Sequence, residues 1–331
     1  MVAIWRSILR WARLTAVAVA VVLVQTPVLA QSFDGPHSVH NLKITVLGTN
    51  LSEDAGGEWG YSALVEVDGH RILYDTGASP DLVLKNARAM HIDLSNVEDV
   101  VISHNHWDHV GGLVTLRREL MKVNTRAMSR VHVGVGIFEP RLTSSGEDHN
   151  GLKTIRADYI ATGGVFIVHE KPVELWPGVW FTGPVPRPNS ETNWNPGLFL
   201  RTPHGLVDDN VPEDSALLFD TPTGTVVLTG CGHAGIVNIV EDARVIVGPG
   251  PVLAVVGGLH LFAASDETIA WTGAKLKSYA VKNLLAGHCT GIEATFLLRQ
   301  VLGLTRKTAV VSAVGSSFQL GRGLDPRKLA Q

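Results

Sequence analysis

Cysteine is scarce in this chain: its 331 residues contain two, Cys231 and Cys289. Two cysteines cannot build the disulfide framework on which small secreted domains depend, and a domain of this size does not need one. An even count invites one bridge in an oxidising compartment, but each cysteine has a histidine close by, which points elsewhere. Charge is also thin. Only 18% of residues are charged, the formal net charge is −3, and the lysines and arginines are scattered. With no basic face, a nucleic acid or an acidic membrane is excluded as a partner. Low-complexity segments and sharp composition boundaries are missing too. What is present is a globular composition, 45% hydrophobic, with ample material for a core.

Long apolar runs are also lacking. The run from Leu14 to Val24 falls short of the ~20 residues that span a bilayer, and Gln25 and Pro27 close it. Before it stand Arg6, Arg10 and Arg13, and after it Val28-Leu29-Ala30 offers small residues for cleavage. This is the layout of a signal peptide, residues 1–30. No cysteine follows the run, so a lipid anchor is not expected. The first thirty residues hold three arginines and no acid, so the remainder is more acidic still. The expectation is a soluble, periplasmic or secreted bacterial protein without stable membrane insertion, acting on a small molecule. Its parts would be a linker at 31–42, one domain at 43–320 and a C-terminal tail at 321–331.

Within the domain, 43–47, 63–67 and 71–74 read as strands, with Asp68-Gly69 as the hairpin turn between the last two. Residues 80–90 have helical spacing, and 97–103 return to strand. The second half repeats the rhythm. Strands at 216–219 and 225–228 flank a turn, followed by a helix after Gly235, a strand at 252–256, a helix around 269–277 and a strand before Gly287. Paired strands mixed with helices in two comparable halves suggest two packed sheets with helices outside. The stretch 184–214 is long and rich in Pro and Asn, and a loop of that length is usually functional.

One stretch carries chemistry. Ser103 to Gly112 reads SHNHWDHVGG and follows the apolar run Val100-Val101-Ile102. In extended backbone His104, His106 and Asp108 would share a side, with His109 beginning the turn into a helix. Two imidazoles aimed at one point suit a borderline-soft divalent ion, and a carboxylate with a further imidazole suits a second. Three more histidines stand at strand ends beside glycine or cysteine: His233 in TGCGHAG, His260 in VVGGLHL and His288 in LLAGHCTG. Most of the other eight read as surface residues, although His149 and His204 lie in loops within reach of a pocket.

The pattern His104-x-His106-x-Asp108-His109 resembles the signature of metallo-β-lactamase-fold hydrolases. More narrowly, EWGYSALVEV, LYDTG, TGPVPR, LTGCGHAGIVNI, VVGGLHL and GHCTG resemble dihydropterin ribofuranosyl-aminobenzene phosphate synthase-like proteins, in family order from about residue 43 to 320. The resemblance implies an α/β fold, a four-layer αββα sandwich holding two divalent metal ions. Zinc is the first choice, with Mn2+ or Fe2+ as alternatives. His104 and His106 would bind one ion, completed by His233. Asp108, His109 and His288 would bind the other, with Asp108 also catalytic. The family's bridging aspartate is missing. Cys231 takes its place, or His233 or His260 takes over, or Asp214 reaches in, and Cys289 adjoins the same site. Asp75 matches an aspartate that hydrogen-bonds a ligand histidine. Trp107, Trp194 and Arg187 are candidates for substrate contact.

The activity expected on this basis is exported hydrolysis of an ester, lactone, amide or phosphoester by a metal-bridging hydroxide. The alternatives are a condensing transferase of the pterin-ribose kind, or a metal-binding protein without turnover.

Overall fold

The computed structural model describes residues 38–194 and 196–328. The expected signal peptide lies outside the described residues. The first half runs β1 (Leu42–Gly48), β2 (Ser62–Val67), β3 (His70–Tyr74), α1 (Leu82–Ala89), β4 (Asp99–Val101), α2 (Trp107–Val110), α3 (Leu113–Leu120), β5 (Arg130–Gly134), α4 (Gly151–Ile160) and β6 (Val165–His169). It continues with β7 (Val173–Trp176), β8 (Val179–Phe181), β9 (Phe199–Thr202), β10 (Gly205–Asp208), β11 (Ala216–Phe219), β12 (Thr225–Thr229), α5 (Ile236–Ile246) and β13 (Val252–Gly257). The last elements are α6 (Asp266–Ser278), β14 (Asn283–Ala286), α7 (Ile292–Leu302), β15 (Ala309–Val311), β16 (Ser317–Gln319) and β17 (Gly323–Asp325).

Local chemistry explains these elements. Asp68 and Gly69 both take positive φ, 42° and 87°, as a two-residue hairpin turn requires. α1 buries Val83, Leu84 and Ala87 along one face. At α6 the Ser265 side chain accepts from the Thr268 amide. Asp266 and Glu267 in its first turn and Lys275 and Lys277 in its last suit the helix dipole.

Eight strands form one sheet in the order β17-β16-β1-β2-β3-β4-β5-β6, and seven form the other in the order β15-β14-β13-β12-β11-β8-β7. Alternating inward residues of both sheets meet in one core, among them Val65 and Ile72 from the first and Phe219 and Leu228 from the second. The outer face of the second sheet packs on α5, α6 and α7 through residues such as Ile239, Leu276 and Leu298. The outer face of the first packs on α1, α3 and α4 through Leu84, Leu116 and Leu152. Each such fully buried aliphatic side chain contributes about 1.5–3 kcal/mol. This is the αββα sandwich. Among the described residues no helix is long and apolar enough to cross a membrane.

Two boundaries differ from the sequence reading. The first sheet takes in Gly323–Asp325, past residue 320, because β17 pairs with β16. The long 184–214 stretch carries its own hairpin, β9–β10. One arrangement prepares the site. β3 to β6 are parallel in one sheet and β12 to β15 in the other. The loops after strands of a parallel sheet are where such folds deliver functional groups.

Candidate metal centre

Five strand ends converge. β3 delivers Asp75, β4 the 103–109 loop, β12 Cys231 and His233, β13 His260, and β14 His288 and Cys289. Their ligand atoms fall into three groups, each with all members within 4.8 Å of one another: His104, His106 and His233; Asp108, His109, Cys231 and His288; Cys231, His260 and Cys289. His104, His106 and His233 come together in one group, and Asp108, His109 and His288 in another. Cys231 stands with the second set.

The extended alternation, however, ends at His106. Asp108 and His109 lie on the helical turn α2, for which His106 is the N-cap. Consecutive residues on that turn point in different directions, so Asp108 faces His288, with Oδ2 3.2 Å from Nε2, and His109 reaches Cys231, with Nε2 3.1 Å from Sγ. The sharing of one strand face by His104, His106 and Asp108 is thus corrected.

Asp75 organises the loop. Fully buried, it accepts from the Ser103 amide at 2.8 Å and the Ser103 hydroxyl at 2.8 Å, and pairs with His109 Nδ1 at 2.7 Å. The Ser103 hydroxyl also lies 2.9 Å from His104 Nδ1. One carboxylate thereby orients two imidazoles. Gly230 makes room: a Cβ there would come within 2.5 Å of the Asp75 carboxylate. His233 is aimed through Nδ1 by the Asn193 carbonyl, at 2.5 Å. Thr49, just after β1, has a task as well, since its Oγ1 accepts from the His288 amide at 3.2 Å.

The first group passes a test for cation binding. His104 Nε2 and His233 Nε2 are buried without a hydrogen-bond partner, which is costly unless something occupies their lone pairs. Burial and the neighbouring histidines push both rings well below the usual histidine range, and burial takes His106 down to about 4. They are neutral donors at pH 7. Burial favours the neutral form of Asp108, but the charges of His109 and His288 outweigh it and hold the carboxyl below its usual range. Burial also lowers His109, yet Asp75 and Asp108 outweigh it and the ring is pushed up to about 9. Burial and the Cys289 sulfur push the Cys231 thiol up. A cation would displace the protons of both.

Asp214 belongs to none of the three groups. Its Oδ2 accepts from the Ala234 amide at 2.8 Å, and burial pushes the acid up to about 7. Arg187, a candidate for substrate contact, is held by backbone carbonyls. Its guanidinium donates to the carbonyls of His233 (3.0 Å) and Val211 (2.7 Å), tying the 184–214 loop to the centre. Trp107 and Trp194 do line the cleft, about 270 Å³, together with Trp59, His149, His260 and His288. His204 sits exposed in the β9–β10 hairpin. A second cavity of about 540 Å³, sharing Trp194 and His260, adds Phe262 and Trp271.

Sequence reasoning missed the support under His106. Arg141, fully buried, pairs with Glu213 and stands 3.1 Å from Asp209, while Glu213 also accepts from the Asn105 side chain. Asn105 lies between two ligand histidines, so this pair fixes the loop. A charged pair far apart in sequence leaves no local pattern. His132, read as a surface residue, is buried against Asp99, 3.1 Å away, and stacks on His169.

The fold and the histidine signature define the class: the chain belongs to the metallo-beta-lactamase superfamily, whose sequence pattern matches residues 56–248. It is 32% identical over 267 residues to the 7,8-dihydropterin-6-methyl-4-(beta-D-ribofuranosyl)-aminobenzene-5'-phosphate synthase of Methanocaldococcus jannaschii, covering 77% of this chain and 90% of that protein. Among solved structures it is similar to Tm1679, described as a metal-dependent hydrolase of the beta-lactamase superfamily. Identity there is 27%, with a TM-score of 0.68 over 83% of this chain and 98% of that one. The metallo-beta-lactamase fold protein YhfI of Bacillus subtilis shares the fold, with a TM-score of 0.53 at 15% identity over 85% of this chain and all of that one.

These relationships correct the expected activity. The relative aligned over nine-tenths of its length is a synthase, and the condensing alternative is better supported than exported hydrolysis.

Proposed function

We propose that this protein is a metal-dependent condensing enzyme that joins a methyl-substituted dihydropterin to an arylamine bearing a ribose phosphate. The observation that carries this is the 32% identity with the methanogen synthase across 90% of its length, in a chain that gathers candidate cation ligands at its strand ends. In such a reaction a carbon–nitrogen bond forms at the pterin methyl carbon. The bond to an anionic leaving group on that carbon breaks, and the amine loses a proton.

His104, His106 and His233 would hold one divalent cation, and Asp108, His109, Cys231 and His288 a second. The nitrogen-rich set with one sulfur favours zinc. Cations bound there supply positive charge that holds and neutralises the departing anion. The protein supplies the rest. Asp75 keeps His109 in one tautomer and orientation. Asp108, held ionised at the cleft wall, is the acceptor for the amine proton. Trp59, Trp107 and Trp194 offer flat apolar walls that hold planar rings edge to edge and limit water at the reacting carbon.

Incubation of the zinc-loaded protein with a methyl-activated dihydropterin and an arylamine ribose phosphate tests this. Mass spectrometry should show the coupled product, lost on chelation and in His106→Ala. No coupling with either zinc or manganese loaded would reject the reading.

A further inference from the structure

Sulfur collects at one edge of the centre. Cys231 follows β12, His260 follows β13 and Cys289 follows β14, all neighbours in the parallel part of one sheet. Their ligand atoms lie within 4.8 Å of one another. Both cysteines are buried free thiols. The close approach depends on Gly258, where a Cβ would come 2.8 Å from the Cys289 sulfur and 2.3 Å from the Gly230 carbonyl.

His260 is the anomaly. Neither of its ring nitrogens has a nitrogen or oxygen hydrogen-bond partner, although both are shielded from water, and the polar side chain it meets is the Cys289 thiol. Its backbone sits at φ 50°, in the left-handed region that a residue with a Cβ enters at a cost. Desolvated nitrogens and an unfavourable backbone persist together only where something compensates. The two other groups have their own ligands, three imidazoles in one and a carboxylate with two imidazoles and a sulfur in the other. Neither needs His260 or Cys289. Two sulfurs and one imidazole are the softest of the three donor sets.

We propose that Cys231, His260 and Cys289 form a third cation site, selective for a thiophilic ion such as Zn2+ and sharing the Cys231 sulfur with the neighbouring group. A thiolate has lone pairs enough to bridge two ions. Binding takes the cation from solution and releases the Cys289 thiol proton to it, the Cys231 proton having left when the neighbouring group filled, with no change of oxidation state. Three protein ligands leave one position open, and both His260 and Cys289 line the cleft, so that position faces a substrate group or water. The inference does not rest on the proposed reaction.

Titration of the metal-free full chain with Cd2+, followed by cadmium NMR and equilibrium dialysis, tests it. The wild type should bind about three equivalents and show three resonances, one displaced in the direction that ligation by two sulfurs produces. Cys289→Ser and His260→Asn should each lose that resonance and keep the other two, which also shows that they fold. A wild type that saturates at two resonances overturns the proposal, as does a third resonance that survives in both variants. Should a variant lose every resonance through misfolding, the wild-type count alone decides.

Discussion

Replacing Asp75 by Asn keeps the shape of the side chain and removes the charge that orients the ligand histidines. Asp75 receives three contacts: the Ser103 amide, the Ser103 hydroxyl and His109 Nδ1. In Asp75→Asn the carbonyl oxygen still accepts from the Ser103 amide, and the new NH2 can donate to the Ser103 hydroxyl. That NH2 then faces the His109 N–H, donor against donor, so one charge-assisted bond is lost and the imidazole is free to turn. Loss of such an orienting partner weakens metal binding by about 10–100-fold, or about 1.4–2.8 kcal/mol at 1.4 kcal/mol per tenfold. Competition with a chromophoric chelator reads this directly. The loss should fall mainly on the equivalent held by the Asp108, His109, Cys231 and His288 group, because His109 touches Asp75 directly whereas His104 reaches it only through the Ser103 hydroxyl. Asp158→Asn, at an exposed surface ion pair, is the control. Equal affinities for Asp75→Asn and wild type would show that the carboxylate does not act through His109.

Other outcomes follow from the same geometry. His106→Ala should lose about one equivalent of metal by elemental analysis, whereas His91→Ala, outside all three ligand groups, should lose none. Arg141→Met leaves Glu213 and Asp209 buried without their cation and should cost ~3–5 kcal/mol in urea unfolding; a cost under ~1 kcal/mol would mean that the pair is not ionised. Glu191 is buried at the start of α5, and burial raises it from 4.5 to about 7. The fold favours its protonated form, so its contribution to stability is full below pH 4.5 and is lost as pH rises through about 7. In the metal-free protein Glu191→Gln should therefore flatten the decline in urea midpoint across that window, and an unchanged decline would place the proton elsewhere.

The strands and the ligand set were legible in the sequence because both are local. Alternating apolar runs mark β1 to β3, and the His-x-His-x-Asp-His spacing holds its four groups within six residues. His233 and His288 could be found because each follows an apolar strand beside glycine. What escaped depends on contacts between distant segments. Arg187 meets the carbonyls of His233 and Val211 only once the 184–214 loop folds back. Glu213, Arg141 and Asn105 meet only when the two sheets pack. Asp108 was placed on the wrong backbone conformation because the helix begins at Trp107, within the motif, rather than after it. The activity was misjudged for a different reason. The signature names a metal-binding superfamily, and the same cation-ligand set serves departure of an anion whether water or an amine attacks.

Partition of one electrophile between water and the amine measures that choice of nucleophile. The metal-loaded protein would be given a methyl-activated dihydropterin in isotopically labelled water, with and without the arylamine ribose phosphate, and the products weighed. The amine-coupled pterin should be the main product, formed only when both substrates are present, with little labelled hydroxymethylpterin in either mixture. Rapid formation of labelled hydroxymethylpterin, unaffected by the amine, would contradict it.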